Sequence, residues 1–148
     1  MSVAHGIALG SRLSGFDSKV YVILGDGEIQ EGQIWEAAMS ASKFKTNNLI
    51  AIIDFNKVAQ DNITKDLKDI EPIGAKWESF GWDVHRIDGH NMTEIVGVLK
   101  KPVHPEKPRV IIADTVKGKG VSFMEGQTAW HGVAPSKEDY EKALKELE

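Results

Sequence analysis

Asp26 stands between two glycines, Gly25 and Gly27, directly after the apolar run Val20-Tyr21-Val22-Ile23-Leu24. Asn56 stands directly after a second apolar run, Leu49-Ile50-Ala51-Ile52-Ile53-Asp54-Phe55. The stretch between them has room for one helix. Two parallel strands joined by that helix would bring both residues to the same edge of a sheet, which is where open α/β sheets bind ligands. A carboxylate, an amide oxygen and the nearby backbone carbonyl of Val58 suit a hard cation such as Mg2+, which keeps its other positions for diphosphate oxygens and water. Gly25 and Gly27 let backbone amides approach a charged ligand closely, because no Cβ intervenes. The helix opening near Glu31 would aim its N-terminal dipole at the same region and favour phosphate there. Gly-Asp-Gly alone is also an ordinary strand-to-helix turn. Asn56 at the end of a second strand turns the balance toward a cation–diphosphate site.

The elements that must position these residues alternate between strand and helix. Val3, Ile7, Ala8 and Leu13 predict a short helix ending near Gly15. Lys19 to Leu24 reads as a strand without polar alternation, as expected of a parallel strand covered on both faces. Glu31 to Phe44 has one broad apolar face and reads as a helix ended by Asn47-Asn48; Leu49 to Phe55 is the second strand. Lys57 to Asp69 is polar and reads as a loop. Glu71 to Phe80 predicts a helix with Pro72 in its first turn, followed by a strand over Trp82 to Ile87 and a turn at Asp88-Gly89-His90. Met92 to Lys101 predicts a helix, the proline-rich stretch Lys101 to Pro108 a connector, and Arg109 to Thr115 a fourth strand. Lys117 to Gly132 is a glycine-rich loop, and Ser136-Lys137-Glu138-Asp139 resembles a capping box opening a last helix through Leu147. The expected fold is α/β: a parallel sheet of at least four strands flanked by helices and joined by right-handed crossovers. Residues 1–148 read as a single domain. Few helices are available to cover both faces of such a sheet, and the first core strand comes after only a short lead-in. Another chain or an absent segment is expected to cover the remainder.

Bulk composition narrows the function classes. The chain has 148 residues, 41% hydrophobic and 27% charged, in the range of a globular domain with a real core. The net charge of −4 and the lack of a basic cluster argue against nucleic acid as a partner. Without cysteine there can be no disulfide, thiolate zinc site or thiol nucleophile. No apolar run approaches the roughly 20 residues needed to cross a bilayer, and Met1 to Gly6 is unlike a signal peptide, so a cytoplasmic location and no membrane partner are expected.

Taken together, Gly25-Asp26-Gly27, Glu31-Gly32, Glu36-Ala37, Asn48-Leu49-Ile50 and Asp54-Phe55-Asn56 resemble the thiamine diphosphate motif, which runs from Gly-Asp-Gly through about thirty residues to an asparagine. Among thiamine diphosphate enzymes the resemblance is closest to transketolase. Thr115-Val116-Lys117-Gly118-Lys119-Gly120-Val121-Ser122 and Trp130-His131-Gly132 resemble two later segments of the same domain, in the right order. The best-fitting arrangement is the amino-terminal half of a transketolase split over two polypeptides.

The resemblance implies thiamine diphosphate and Mg2+ as cofactors. Asp26 and Asn56 would be side-chain ligands of the metal, Val58 would add its backbone oxygen, and Gly25 and Gly27 would line the diphosphate. Glu31 would join a carboxylate network between active sites, where neighbouring acids share protons; otherwise it is a helix N-terminal acid favoured by the dipole. His131 would face the substrate near the thiazolium ring and exchange protons with a sugar hydroxyl; otherwise it is a structural histidine in a glycine loop. Lys117 and Lys119 either approach phosphate groups or sit in a solvated loop. His5, His85 and His104 read as surface or packing residues, with His90 in its turn a mild exception. Trp35, Trp77 and Trp82 read as core or interface.

The implied reaction is transfer of a two-carbon ketol unit from a ketose phosphate to an aldose phosphate. The pyrimidine-binding domain that completes such a site has no counterpart in these residues, so the isolated chain is expected to be inactive and to need a carboxy-terminal half as partner, in a dimer or heterotetramer. The family's earlier histidine-bearing segments would precede Ser2, which predicts a domain shortened at its amino terminus. Two alternatives remain open on the sequence. One is a non-catalytic Mg2+–thiamine diphosphate assembly protein. The other is a different enzyme on the same cofactor, such as a deoxyxylulose-phosphate synthase or the alpha subunit of a 2-oxo-acid dehydrogenase, against which Trp130-His131-Gly132 argues.

Overall fold

Four parallel strands, β1 (Val20–Gly25), β2 (Leu49–Phe55), β3 (Asp83–Asp88) and β4 (Arg109–Asp114), form one sheet in the order β1-β2-β4-β3 in the computed structural model, which describes residues 1–58 and 68–148. Five α-helices are described: α1 (Ser2–Leu13), α2 (Gly32–Lys43), α3 (Ile73–Ser79), α4 (Met92–Lys100) and α5 (Lys137–Leu147). Short 3-10 turns occur at Glu28–Gln30 and Thr128–Trp130. Gly25 pairs with Asp54, Asp54 with Ala113, and Phe55 with Asp114, so β1, β2 and β4 end level with one another. The β2-to-β3 connection passes over β4 and the chain then returns, leaving the carboxyl ends of β1, β2 and β4 side by side.

The predicted alternation of strand and helix holds throughout, with small displacements of the ends. Pro72 lies before α3 in an extended conformation (ψ 102°) rather than in its first turn. Glu31 likewise precedes α2, and the Glu28–Gln30 turn stands between Gly-Asp-Gly and that helix. Most of the expected loop over Lys57–Asp69 lies outside the described residues. The capping box is present: Ser136 Oγ accepts the Asp139 N–H at 3.1 Å and the Ser136 N–H returns to Asp139 Oδ2 at 3.2 Å.

Strand alternation divides the interior in two. Leu24, Leu49, Ala51, Ile53, Phe55, Val110 and Ile112 point to one face and are sealed by residues of α1, α2 and α3. Within this core Trp77 stacks on Trp35 at 5.2 Å and meets Trp82 edge-on at 4.8 Å between ring centroids, as the reading of the tryptophans as packing residues requires. The opposite face carries only a small cluster, in which Ile50 and Ile111 pack with Val98 of α4. Over β1 that face is open: Tyr21 is 50% and Ile23 72% exposed. The helix shortage evident in the sequence therefore falls on one side of the sheet. Parallel sheets are normally covered on both faces.

Buried Arg109 ties α4 to the sheet by donating to the Val98, Lys101 and Pro102 carbonyls at the helix carboxyl end and to Asp83 at 2.9 Å. At the other end of the strands Arg86 grips Asp114 with two parallel bonds (2.7 and 2.8 Å), donates to Glu71 at 3.0 Å, and lies 5.1 Å over the Phe55 ring. The Arg86 hydrogen bonds hold the Asp114 carboxyl below its usual range. A carboxyl depressed in the folded state adds stability above its unfolded pKa and loses it as the pH falls through the folded one. Because the pair is partly solvated, Arg86→Met is expected to cost only about 1 kcal/mol near neutral pH. Thermal melting should show that deficit narrowing as the solution is acidified.

Candidate cofactor site at the carboxyl rim of the sheet

Asp26 is 1% exposed although it carries a carboxyl group. The register delivers it to the end of β2, where its Oδ2 accepts the Lys57 backbone N–H at 2.5 Å. Lys57 has φ +65°, a left-handed conformation that turns the chain sharply after Asn56. Within that turn the Val58 N–H donates to Asn56 Oδ1 at 2.9 Å, an Asx-type bond two residues on. Asp26 and the Asn56-Lys57-Val58 segment, distant in sequence, therefore meet at one rim, as the spacing of the two motifs predicts. The Asn56 Nδ2 donates to Asp54 Oδ2 at 2.9 Å, and the Thr115 hydroxyl donates to Asp54 Oδ1.

Burial raises the Asp26 carboxyl above its ordinary pKa. The N–H groups of Lys57 and Gly27 pull it down, the Asp54 carboxylate pushes it further up, and the Lys117 charge lowers it. A buried carboxylate beside a second one is costly to ionise unless a positive charge joins it. The donors present are hard oxygens: a carboxylate, an amide and a backbone carbonyl. No group of three or more His, Asp or Glu able to hold a metal occurs among the described residues, so a cation here would take mixed protein ligands and leave positions for a diphosphate.

The two glycines fit the same group. Neither has a positive φ; Gly27 lies at φ −66°, ψ −37°, a conformation open to any residue. A Cβ on Gly25 would meet nothing nearer than Glu28 Cβ at 3.9 Å, an ordinary contact. The backbone of the chain therefore does not require glycine at these positions, and their bareness suits close approach by a ligand. Gly27→Val is expected to leave the melting temperature nearly unchanged and to abolish thiamine diphosphate binding measured by calorimetry.

Glu31 is exposed and makes no side-chain cap bond to α2; among the described residues it has no side-chain hydrogen bond. His131 is exposed too, directly after the Thr128–Trp130 turn. Its loop is built by three left-handed glycines, Gly118, Gly120 and Gly126, and is closed by the Gly126 N–H on the Lys117 carbonyl at 2.8 Å. A Cβ on Gly118 would lie 2.7 Å from the Met124 backbone, so this glycine is required by the fold itself. Lys117 is half-buried near Asp26, whereas Lys119 is exposed and pairs with Glu125 at 3.5 Å. His90 Nε2 accepts the Val116 N–H at 2.8 Å and so anchors the start of that loop. Of the other histidines, His5 is buried against Thr46, His85 contacts Asp83, and His104 is exposed.

The sequence reading passed over Asp54 and Thr115. The available signal was the carboxylate two residues before Asn56 on the same strand. Beside them, on the open face, lies a cleft of about 340 Å3 lined by Ile23, Ile52, Ile87 and Ala113 among others.

Comparison with known proteins agrees with this geometry. Residues 10–147 match the family model for the transketolase thiamine diphosphate binding domain. One of the two subunits of an apulose-4-phosphate transketolase from Actinobacillus succinogenes is 43% identical over 147 residues, covering 99% of this chain and 53% of that protein. A 6-deoxy-6-sulfo-D-fructose transketolase subunit from a Clostridium species is also 43% identical, with 99% and 54% covered. The chain thus spans about half the length of the curated relatives it matches. The crystal structure of transketolase from Campylobacter jejuni superposes with a TM-score of 0.88 at 32% identity, covering 96% of this chain and 23% of that one. With that sheet, that rim and a family match over nearly its whole length, the chain belongs to the transketolase family, as its thiamine diphosphate binding domain.

Proposed function

We propose that this chain is the diphosphate-binding part of a transketolase divided between two polypeptides. Paired with a pyrimidine-binding half, it takes part in transfer of a two-carbon ketol unit from a ketose phosphate to an aldose phosphate. The observation that carries this reading is the meeting of Asp26 with the Asn56–Val58 turn at the sheet rim, within a chain that matches this family from residue 10 to 147. The names of two relatives, both of them transketolase subunits, support a partner polypeptide.

In this reading Asp26, Asn56 and the Val58 carbonyl hold Mg2+, and Gly25 and Gly27 make room for the diphosphate. Bound thiamine diphosphate supplies the carbanion chemistry that carries the two-carbon unit. Lys117, beside Asp26, offsets the charge of the phosphates. His131 exchanges protons with a sugar hydroxyl, and Glu31, exposed at the head of α2, reaches a carboxylate of a neighbouring protomer.

A coupled assay with ketose and aldose phosphates tests the reading. Turnover is expected when the partner half, thiamine diphosphate and Mg2+ are all present, and negligible turnover from this chain alone. Cofactor binding without turnover in the complete mixture would instead indicate a non-catalytic assembly protein.

A further inference from the structure

We propose that Asp54 is a positioning residue that holds the Asn56 amide in its cation-binding orientation, and that Thr115 in turn holds Asp54. The inference rests on the functional reading above and adds a support layer that the ligand set alone does not contain.

Asp54 is the last polar residue of β2, on the face opposite Phe55, and both of its oxygens are engaged. Oδ2 accepts from the Asn56 Nδ2 at 2.9 Å, and Oδ1 accepts from the Thr115 hydroxyl. An amide whose NH2 group is tied to a carboxylate cannot rotate by half a turn, because that would set its own oxygen against a negative charge. The Asn56 oxygen is therefore fixed on the side away from Asp54. There it accepts the Val58 N–H, which uses one of its two lone pairs and leaves the other for a cation.

Thr115 is held independently. Its N–H donates to the Phe55 carbonyl at 3.3 Å, and the preceding Asp114 is gripped by Arg86. Asp54 is thus pinned by the neighbouring strand, and the orientation of a residue on β2 depends on the end of β4. Partners of this kind around a metal ligand typically contribute roughly ten- to hundredfold in affinity.

The test is a Mg2+ titration of the full-length chain joined to its partner half, at saturating thiamine diphosphate, with thermal melting of each variant without cofactor. Asp54→Ala is expected to raise the apparent Kd for Mg2+ by roughly ten- to hundredfold. Thr115→Val, which keeps the side-chain shape and the Asp54 carboxylate, should raise it less. In an Asn56→Ala background, Asp54→Ala should add nothing further, because its effect passes through Asn56. An unchanged Kd in Asp54→Ala, or effects that multiply in the double variant, would overturn the proposal; multiplication would make Asp54 a ligand in its own right. Should Asp54→Ala not fold, Thr115→Val decides, and a wild-type Kd there counts against it. Asp26→Asn separates the two levels. If that variant binds Mg2+ and cofactor normally, the functional reading fails; if it loses them while Asp54→Ala does not, only the positioning role fails.

Discussion

Asp26→Asn, in the chain joined to its partner half, is expected to weaken Mg2+-dependent binding of thiamine diphosphate by about a hundredfold or more, equivalent to about 3 kcal/mol. Asparagine keeps an oxygen to accept the Lys57 N–H, so the rim keeps its shape and only the charge is lost. Alanine would also remove that acceptor and leave a buried N–H without a partner, mixing a stability cost into the result. The charge should matter greatly, because Asp26 is the only carboxylate in the proposed ligand set.

The same substitution has an opposite expected effect on the protein without cofactor. Burial raises the Asp26 carboxyl pKa, so the folded state holds this proton more tightly than the unfolded chain does. Such a group contributes most to stability below its unfolded pKa and progressively less as the pH rises through the folded one. Removing the charge should therefore leave the cofactor-free protein at least as stable near neutral pH, with a flatter dependence on pH through the carboxylate range. Calorimetric titration gives the first quantity and thermal melting across pH the second. Wild-type affinity in this variant would show that the cation does not sit at this rim.

Trp77→Ala should be the most destabilising single change in the core. Trp77 is fully buried at the junction of α3 with the sheet, between Trp35 and Trp82. Truncating a buried aromatic typically costs about 3–5 kcal/mol, the lost transfer energy together with the cavity left behind. For a domain of this size that corresponds to a fall in melting temperature of roughly 10 °C or more. Trp77→Phe should cost much less. The indole N–H of Trp77 has no hydrogen-bond partner among the described residues, so replacing it by phenylalanine forfeits no bond. By contrast, Trp35 donates to the Ile29 carbonyl at 2.8 Å and Trp82 to the Ala38 carbonyl at 3.0 Å, and phenylalanine at either site leaves a carbonyl unpaired. Denaturant or thermal unfolding of the three variants separates aromatic packing from hydrogen bonding.

Much of the architecture is legible in the residues alone, because it depends on local patterns. Apolar runs of strand length, a helix-length spacer between them and glycine at the strand exits are one-dimensional signals. They suffice to place Asp26 and Asn56 at the same edge of a parallel sheet. The family resemblance read from Gly25 to Gly132 agrees with the family match. The scarcity of covering helices is also visible, as a count, although not which face lacks them.

What the chain order could not reveal was side-chain partnership across strands. Strand order β1-β2-β4-β3 brings Thr115 beside Asn56 rather than leaving β3 there, and only that adjacency joins Thr115, Asp54 and Asn56 into one hydrogen-bonded set. The left-handed turn at Lys57 is likewise a tertiary outcome. No glycine marks it; the Asp26 carboxylate receives its N–H from across the sheet and stabilises it there. Residue types and their spacing determined which groups gather at the rim. The order in which the strands pair decided how each is oriented, because hydrogen bonding is directional whereas hydrophobic patterning is not.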